Sequence, residues 1–333
     1  VSGTPPKAIA LLSGGLDSTL AVKLVLEQGI AVEALNYHTP FCQCNRRGVC
    51  EATRVADEFG IPCRTLAMVD AFFERIRQPR YGYGSGMNPC LDCRILMFSS
   101  ARKHMVETGA DFVFTGEVVG ERPMSQRRDA MRIIERESGL QGYLLRPLSA
   151  KLLPPTVPEQ EGLIDRGRLL AIRGRSRKPQ MALAEAHGIE DYPCPAGGCL
   201  LTDRGFARRM RDLVAYTPRF GLNDVSLLKV GRHFRLNPGV KAVIGRNEGE
   251  NARIAALARP NDLLFEVKDW GSPTTLLRGP AGEDEIRLAA SMTVHYSDAP
   301  GRAAVRCWRP EGSVIDRPEA EPLAQDALDA LRL

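Results

Sequence analysis

Six consecutive residues near the start of the chain, Ser13-Gly14-Gly15-Leu16-Asp17-Ser18, set two hydroxyls, two glycines and a carboxylate between an apolar run and a helical repeat. Glycines let backbone N–H groups come close to an anion, the N-terminus of a helix adds its positive end, and Ser13 and Ser18 can each donate a hydroxyl to the same group. The pattern is that of a phosphate-binding turn. It is not G-x-x-x-x-G-K-[ST], because the lysine that would reach the terminal phosphates is missing.

Thiols supply the second set of reactive groups. Asn88-Pro89-Cys90-Leu91-Asp92-Cys93 puts a C-x-x-C pair behind a proline-led turn at the start of a helical stretch. A helix N-terminus there is expected to lower the thiol pKa and favour thiolate, the form that carries a persulfide or binds iron or zinc. Tyr192-Pro193-Cys194-Pro195-Ala196-Gly197-Gly198-Cys199 holds two more cysteines in a proline and glycine framework that no helix or strand interior would tolerate. Cys90, Cys93, Cys194 and Cys199 together could form a four-thiolate site for zinc. Three of them could instead hold a [4Fe-4S] cluster with an open iron, or one could carry a persulfide resolved by another. Cys42, Cys44 and Cys50 form a further group whose role the sequence leaves open between a metal site, a sulfur relay and a loop. The five histidines show no paired spacing and are read as packing or surface residues.

Arg166, Arg168, Arg173, Arg175, Arg177 and Lys178 fall in one stretch without an acid, which suits phosphates or equally a solvated linker.

These groups need elements to hold them. Residues 8–12 form a short apolar run that stops at the Ser13 turn, and from Ser18 the spacing of Leu20, Leu24 and Leu26 is helical up to Gly29. Strands are predicted over residues 31–36, 64–68 and 111–115, with a helix over 51–59. Strands alternating with helices predict a doubly wound α/β domain with a parallel sheet over residues 1–148. The loop over residues 78–89, rich in glycine, tyrosine and proline, reads as an active-site loop delivering the chain to Cys90. Residues 149–218 read as an adaptor region containing the basic stretch, a helix over 180–187, Cys194 and Cys199. Residues 219–333, with β-rich runs over 227–235, 241–244 and 263–267, predict a separate α+β domain, and the tail from Arg317 reads as an acidic surface helix.

A chain of 333 residues with 44% hydrophobic and 26% charged residues has an ordinary globular balance and is too long for one compact core. No run of about eighteen apolar residues and no signal-peptide pattern occurs, so a cytoplasmic protein without a membrane partner is expected. Nine cysteines in a chain of this size favour metal, cluster or sulfur chemistry over disulfide staples.

The S-G-G-x-D-S string resembles the signature of the PP-loop ATP pyrophosphatases, a HUP-like family that includes tRNA thiouridylases, asparagine synthetases, GMP synthetases and NAD synthetases. The resemblance implies cleavage of ATP to AMP and pyrophosphate. It implies that Ser13, Gly14, Gly15, Asp17 and Ser18 hold the pyrophosphate part with Mg2+, Asp17 matching the acidic position of the motif. Thr115-Gly116-Glu117 resembles the second nucleotide-site element of that family. N-P-C-L-D-C resembles an element of bacterial tRNA 2-thiouridylases, with Arg94 where that element has asparagine. Residues 121–126, 146–151 and 194–202 look like those of thiouridylase-like PP-loop proteins, and 241–251 resembles the V-G-R-N-x-x-x-N core of the NFACT-type RNA-binding domain.

What this resemblance implies is ATP-dependent tRNA uridine thiolation through an adenylated uracil. Cys90, Cys199 and Asp17 would act at the reacting groups, and sulfur would come from a [4Fe-4S] cluster or a cysteine persulfide. The donor upstream would be a cysteine desulfurase, a sulfur carrier or sulfide. RNA contacts are expected from Arg173, Arg175, Arg177, Lys178, Arg246 and Asn247. The rival readings are a PP-loop amidotransferase or ligase, a sulfur transferase acting on a small molecule, and a non-catalytic RNA-binding protein that senses ATP.

Overall fold

The computed structural model describes residues 5–42, 45–46, 49–192, 199–316 and 319–333. The chain folds into two compact units, Val1–Thr202 and Asp203–Leu333.

The first unit is built on β1 (Lys7–Leu11), α1 (Leu16–Leu26), β2 (Ala31–His38), a short hairpin of β3 (Asn45–Arg46) and β4 (Val49–Cys50), α2 (Glu51–Glu58), β5 (Cys63–Ala67), α3 (Asp70–Arg77), α4 (Cys90–Thr108), β6 (Phe112–Thr115), α5 (Arg128–Ser138), β7 (Leu144–Leu145), α6 (Val157–Gln160) and α7 (Lys178–Ala186). Five strands form one sheet in the order β5-β2-β1-β6-β7, every pair parallel. The strands read as apolar on both faces because both faces are covered: Ala8, Ala10 and Leu12 enter one core with Ala21, Val22 and Val25 of α1, and Ile9 enters the other with Phe98, Ala101 and Ile134. The chain moves from β1 outward to β2 and β5, then returns to place β6 on the other side of β1. That reversal opens a crevice at the carboxyl ends of β1 and β6, the usual ligand position in an open α/β sheet.

The stretch that follows β7 packs on α1, whose Leu16, Leu20 and Leu24 meet Leu148, Ala184 and Ile189. α7 begins two residues before the predicted helix, at Lys178, with a proline in its first turn.

The second unit contains α8 (Arg204–Tyr216), α9 (Leu222–Leu227), β8 (Arg232–Asn237), β9 (Val240–Ile244), α10 (Glu248–Leu257), β10 (Leu263–Val267), β11 (Thr275–Arg278), α11 (Glu283–His295), β12 (Ala303–Trp308), β13 (Val314–Asp316), β14 (Glu319–Ala320) and α12 (Gln325–Leu331). Its antiparallel sheet runs β13-β12-β10-β11-β9-β8, with β14 also paired to β12. Period-2 alternation decides the two faces: Ala242, Ile244, Phe265 and Leu277 join one core, Val243, Leu264 and Leu276 the other. The fold is thus α/β in the first unit and α+β in the second, which follows it in sequence. Two expectations are corrected. The apolar run at 227–235 is not one strand: a carboxylate of Asp224 accepts from the Gly221 N–H at 2.9 Å and starts a helix there, and the strand begins only at Arg232. The tail helix is not purely a surface element, since Leu328 is fully buried in the second core. Among the described residues no helix is long and apolar enough to cross a membrane.

Candidate active site

The turn after β1 sits at the crevice. Gly14 has φ +75°, and a Cβ there would lie 2.5 Å from the Cβ of Glu51, so only glycine fits. The loop is tied to itself: Ser18 Oγ donates to the Gly15 carbonyl at 2.8 Å, the Ser13 N–H donates to Ser18 Oγ at 3.3 Å, and the two serine hydroxyls lie 3.2 Å apart. From the neighbouring strand, Gly116 presses against the same turn. A Cβ on it would be 2.4 Å from both the Asp17 carbonyl carbon and the Ser18 nitrogen. Thr115 is buried and its Oγ1 accepts from the Glu117 N–H at 3.3 Å.

Asp17 Oδ1 is buried without a hydrogen-bond partner, as are both amide atoms of the neighbouring Gln180, which lies beside Asp17 without reaching bonding geometry. Burial raises the Asp17 carboxyl above its ordinary range, against the opposing pull of Arg177 and then Arg122. Glu121 is raised as well, by burial first and by the charge of Asp17 second. The basic stretch reaches this place through backbone: Val119 and Arg173 form a parallel bridge, and the Gly174 N–H donates to the Val119 carbonyl at 2.8 Å. Arg173, Arg175 and Lys178 are exposed there. The earlier arginines of that stretch are occupied elsewhere, Arg166 on Glu159 at 2.5 Å and Arg168 on the Glu27 carbonyl at 2.9 Å.

Backbone hydrogen bonds draw three segments together around the thiols. The Leu200 N–H donates to the Phe41 carbonyl at 3.1 Å, and the Met87 N–H to the Leu201 carbonyl at 2.9 Å. Asp92 holds the preceding loop by accepting from the backbone N–H of Arg80 at 3.0 Å and of Tyr81 at 3.1 Å. As a result Cys90, Cys93 and Cys199 act on one another electrostatically, and Cys42 acts on Cys93 and Cys199. Cys42 was not separable from Cys44 and Cys50 in the sequence; the structure puts it with the C-x-x-C pair, its Sγ 3.2 Å from Thr39 Oγ1. Cys50 sits beside Cys63 instead. Cys44 and Cys194 lie outside the described residues. Among the described residues no three His, Cys, Asp or Glu side chains are disposed as a ready ligand set.

The expected acidification of the Cys90 thiol does not occur. Burial pushes Cys90 up, with Arg94 and Arg122 pulling the other way, and burial pushes Cys93 and Cys199 to about 12. Desolvation outweighs the helix end because the thiols are turned into protein rather than toward water.

Arginines join the two halves. Arg122 acts on both Asp17 and Cys90. Arg94 acts on Cys90 and Cys93, and its Nε lies 3.6 Å from Glu117 Oε1. Glu117, next to Gly116, is almost fully buried and is held from behind by Arg146 Nε at 3.1 Å. Arg146 in turn bonds Glu135. In the sequence, Glu117 was placed only within the Thr115-Gly116-Glu117 string and Gln180 was given no role; the signal for Glu117 was a carboxylate inside an apolar stretch. Two nearby cations are engaged elsewhere, Lys23 with Glu27 at 3.5 Å and Arg128 with the Leu152 carbonyl at 3.0 Å.

In the second unit, Arg246 pairs with Glu250, Nε to Oε2 at 2.9 Å. Asn247 caps α10, its Oδ1 accepting from the Glu250 N–H at 3.0 Å.

Fold and loop together define a doubly wound α/β phosphate-binding unit followed by an antiparallel α+β unit. Residues 6–159 match the family described as tRNA methyl transferase HUP domain, and residues 231–331 match the NFACT protein RNA binding domain. The first unit thus contains a match to a HUP domain, and the second a match to an NFACT-type RNA-binding domain. The tRNA-specific 2-thiouridylase MnmA of Pseudomonas putida (strain GB-1) is 26% identical over 265 residues, covering 73% of this chain and 64% of that protein. The tRNA-specific 2-thiouridylase MnmA of Pelotomaculum thermopropionicum is 22% identical over 355 residues, 92% of this chain and 91% of that protein. Among solved structures, a 4-thiouridine synthetase–RNA complex with bound ATP is 22% identical with a TM-score of 0.36, over 65% of this chain and 52% of that one. The chain thus spans 64% of the length of the Pseudomonas relative.

Proposed function

We propose that this protein is a cytoplasmic PP-loop sulfurtransferase that uses ATP to thiolate a uridine of tRNA. The observation that carries the reading is the joining of a phosphate loop and a thiol group within one unit, with Arg122 acting on Asp17 in the first and Cys90 in the second. The HUP-domain match and the thiouridylase relatives support it.

ATP would bind with its phosphates on residues 13–18, where the Ser13 and Ser18 hydroxyls and the open backbone face the anion. The orphaned Asp17 Oδ1 fits a Mg2+ ion, which when bound would offset the charge of the pyrophosphate. A uracil carbonyl oxygen attacks the α-phosphate, pyrophosphate leaves, and the carbonyl oxygen becomes part of a good leaving group. Arg122 and Arg177, which both act on Asp17, would offset the negative charge that grows in that step. A sulfur nucleophile presented at Cys90 and Cys199 would then attack the activated carbon, and AMP departs with the oxygen; if the nucleophile is a persulfide, the second cysteine cleaves the resulting C–S–S–Cys link to free the thiouridine, and the disulfide so formed is reduced by an external thiol. Cys90, Cys93 and Cys199, with Cys42 acting on two of them, are the thiols that would hold a [4Fe-4S] cluster or zinc, although among the described residues they are not disposed as a ready ligand set as they stand. Such a group would give sulfur a place to bind. A persulfide would take its sulfur from a desulfurase or a carrier, whereas free sulfide, already fully reduced, would serve only a site where a metal holds it. The exposed Arg173, Arg175 and Lys178 beside the crevice suit the tRNA backbone.

The test is iron, acid-labile sulfide and zinc analysis on protein purified without oxygen, beside thiouridine formation on tRNA with ATP and sulfide. A sulfur site at these thiols requires metal or persulfide that is lost with thiouridine in a Cys90→Ala, Cys199→Ala variant. Retained thiolation in that variant would refute the assignment.

A further inference from the structure

The second unit contains a cavity of 320 Å³ lined by Arg209, Arg232, His233, Arg246 and Arg332 together with glycine backbone at 205 and 231. Its charge is poorly compensated. Arg246 has Glu250 as a partner, and Arg332 approaches Asp329 only to 3.9 Å. Arg209 and Arg232 form no ion pair with a carboxylate among the described residues. Arg209 bonds the Gly205 carbonyl at 3.3 Å and leans on Phe206, and Arg232 bonds the Gly245 carbonyl at 3.0 Å and stacks on Tyr296 with its guanidinium carbon 4.5 Å from the ring centre. Those contacts orient the guanidinium groups without neutralising them.

The cations strain one another. Burial disfavours the charge on Arg209, Asp203 and Glu250 support it in part, and Arg246 opposes it; burial and then Lys241, Arg209 and Arg246 disfavour a charge on His233. His233 is 1% exposed, with Nε2 2.8 Å from the Val230 carbonyl and Nδ1 buried without any partner. The short Nε2 contact places a proton on that nitrogen, so Nδ1 is left as a lone pair with nothing to accept. An anion entering the cavity would relieve the repulsion and let Nδ1 take a proton and become a donor.

We propose that this cavity is a phosphate-binding site that takes a backbone phosphate of RNA. The assignment deepens the RNA part of the proposed function and rests on it, but not on the thiolation chemistry. Guanidinium forks match phosphate oxygens in geometry, and the cavity lies within the residues that match the RNA-binding family, apart from Gly205, Arg209 and the terminal pair Arg332 and Leu333.

The experiment is fluorescence anisotropy of a labelled tRNA transcript with the full chain, without ATP, across a salt series, alongside calorimetric titration with inorganic phosphate. The expected result is that Arg209→Gln keeps its melting temperature, weakens tRNA binding on the order of tenfold and lowers the log–log salt slope by about one. Arg209→Lys should retain the slope, and inorganic phosphate should compete with the transcript. Arg332→Gln, a lining residue from another segment of the chain, provides the same reading if the first variant unfolds. An unchanged slope in a folded variant overturns the proposal. So does loss of phosphate binding with tRNA affinity intact, which would make the cavity a site for a free anion. A protein that binds tRNA in this way but makes no thiouridine would refute the sulfurtransferase reading and leave the cavity standing.

Discussion

The α-carbon of Gly116 rests on the peptide between Asp17 and Ser18, so closely that a single added methyl would fall 2.4 Å from the Asp17 carbonyl carbon. The end of β6 therefore sets the position of the phosphate loop at the end of β1. Gly116→Ala should leave the secondary structure unchanged and move the loop. Nucleotide affinity, measured by calorimetry, should fall by roughly tenfold or more, the size expected when positioned groups are displaced by a fraction of an ångström. Unchanged affinity would mean that ATP binds elsewhere.

Asp17 predicts opposite effects on stability and turnover. Burial holds its carboxyl above the ordinary range, so the ionised form is disfavoured in the folded state at neutral pH. Asp17→Asn should therefore melt higher than the parent at pH 7 in the absence of nucleotide. The sign follows from linkage: the difference appears as pH rises through the raised folded value, and it vanishes below about 3.9, where both folded and unfolded carboxyls are protonated. The same variant should lose ATP-dependent turnover. A lower melting temperature would assign the carboxylate a structural role instead.

Arg122 can be separated from Arg94 through the thiol it faces. Burial raises Cys90 and the two arginines oppose that rise, so Arg122→Gln should raise it further. In metal-free protein, alkylation of Cys90 followed by mass spectrometry across pH should need more alkaline solution in the variant than in the parent. An identical profile would place Arg122 too far from the thiol to matter.

Much of this was legible in the sequence because it rests on local rules. The turn at Ser13 shows its glycines, the strands of the first unit show apolar runs, and the residue range 263–267 was read as a strand with the bounds it has. The thiol group was only half legible. Cys90 and Cys93 share a helix start, but Cys42 is brought to Cys199 by a hydrogen bond between Leu200 and Phe41, residues 159 positions apart with no sequence pattern linking them. The thiol pKa values were misjudged for the same reason: a helix end is visible in a sequence, while the burial that overrides it depends on which distant segments cover it. That Arg166 is tied to Glu159 while Arg177 acts on Asp17 was likewise invisible, since it depends on which folded neighbours surround each arginine.

Arg278 provides a stability prediction for the second unit. It donates to Asp262 Oδ2 at 2.7 Å, Asp224 Oδ1 at 3.0 Å, Asn223 Oδ1 at 3.0 Å and the Leu257 carbonyl at 3.0 Å. Both carboxylates are 4% exposed on their side chains. Removing the guanidinium leaves two buried acids with fewer partners, and Arg278→Ala should cost about 3–5 kcal/mol. Urea denaturation followed by circular dichroism measures this, and a loss below about 1 kcal/mol would show that water replaces the arginine.

The most direct test of the sulfurtransferase account is to count thiouridine and AMP from one reaction of the anaerobically purified protein with tRNA, ATP and sulfide. The account predicts one AMP for each thiouridine, loss of both in Asp17→Asn, and loss of thiouridine in Cys199→Ala with pyrophosphate release retained. Thiouridine made by Cys199→Ala at the parent rate, or ATP cleaved to AMP at the same rate with no tRNA present and no thiouridine formed, would contradict it.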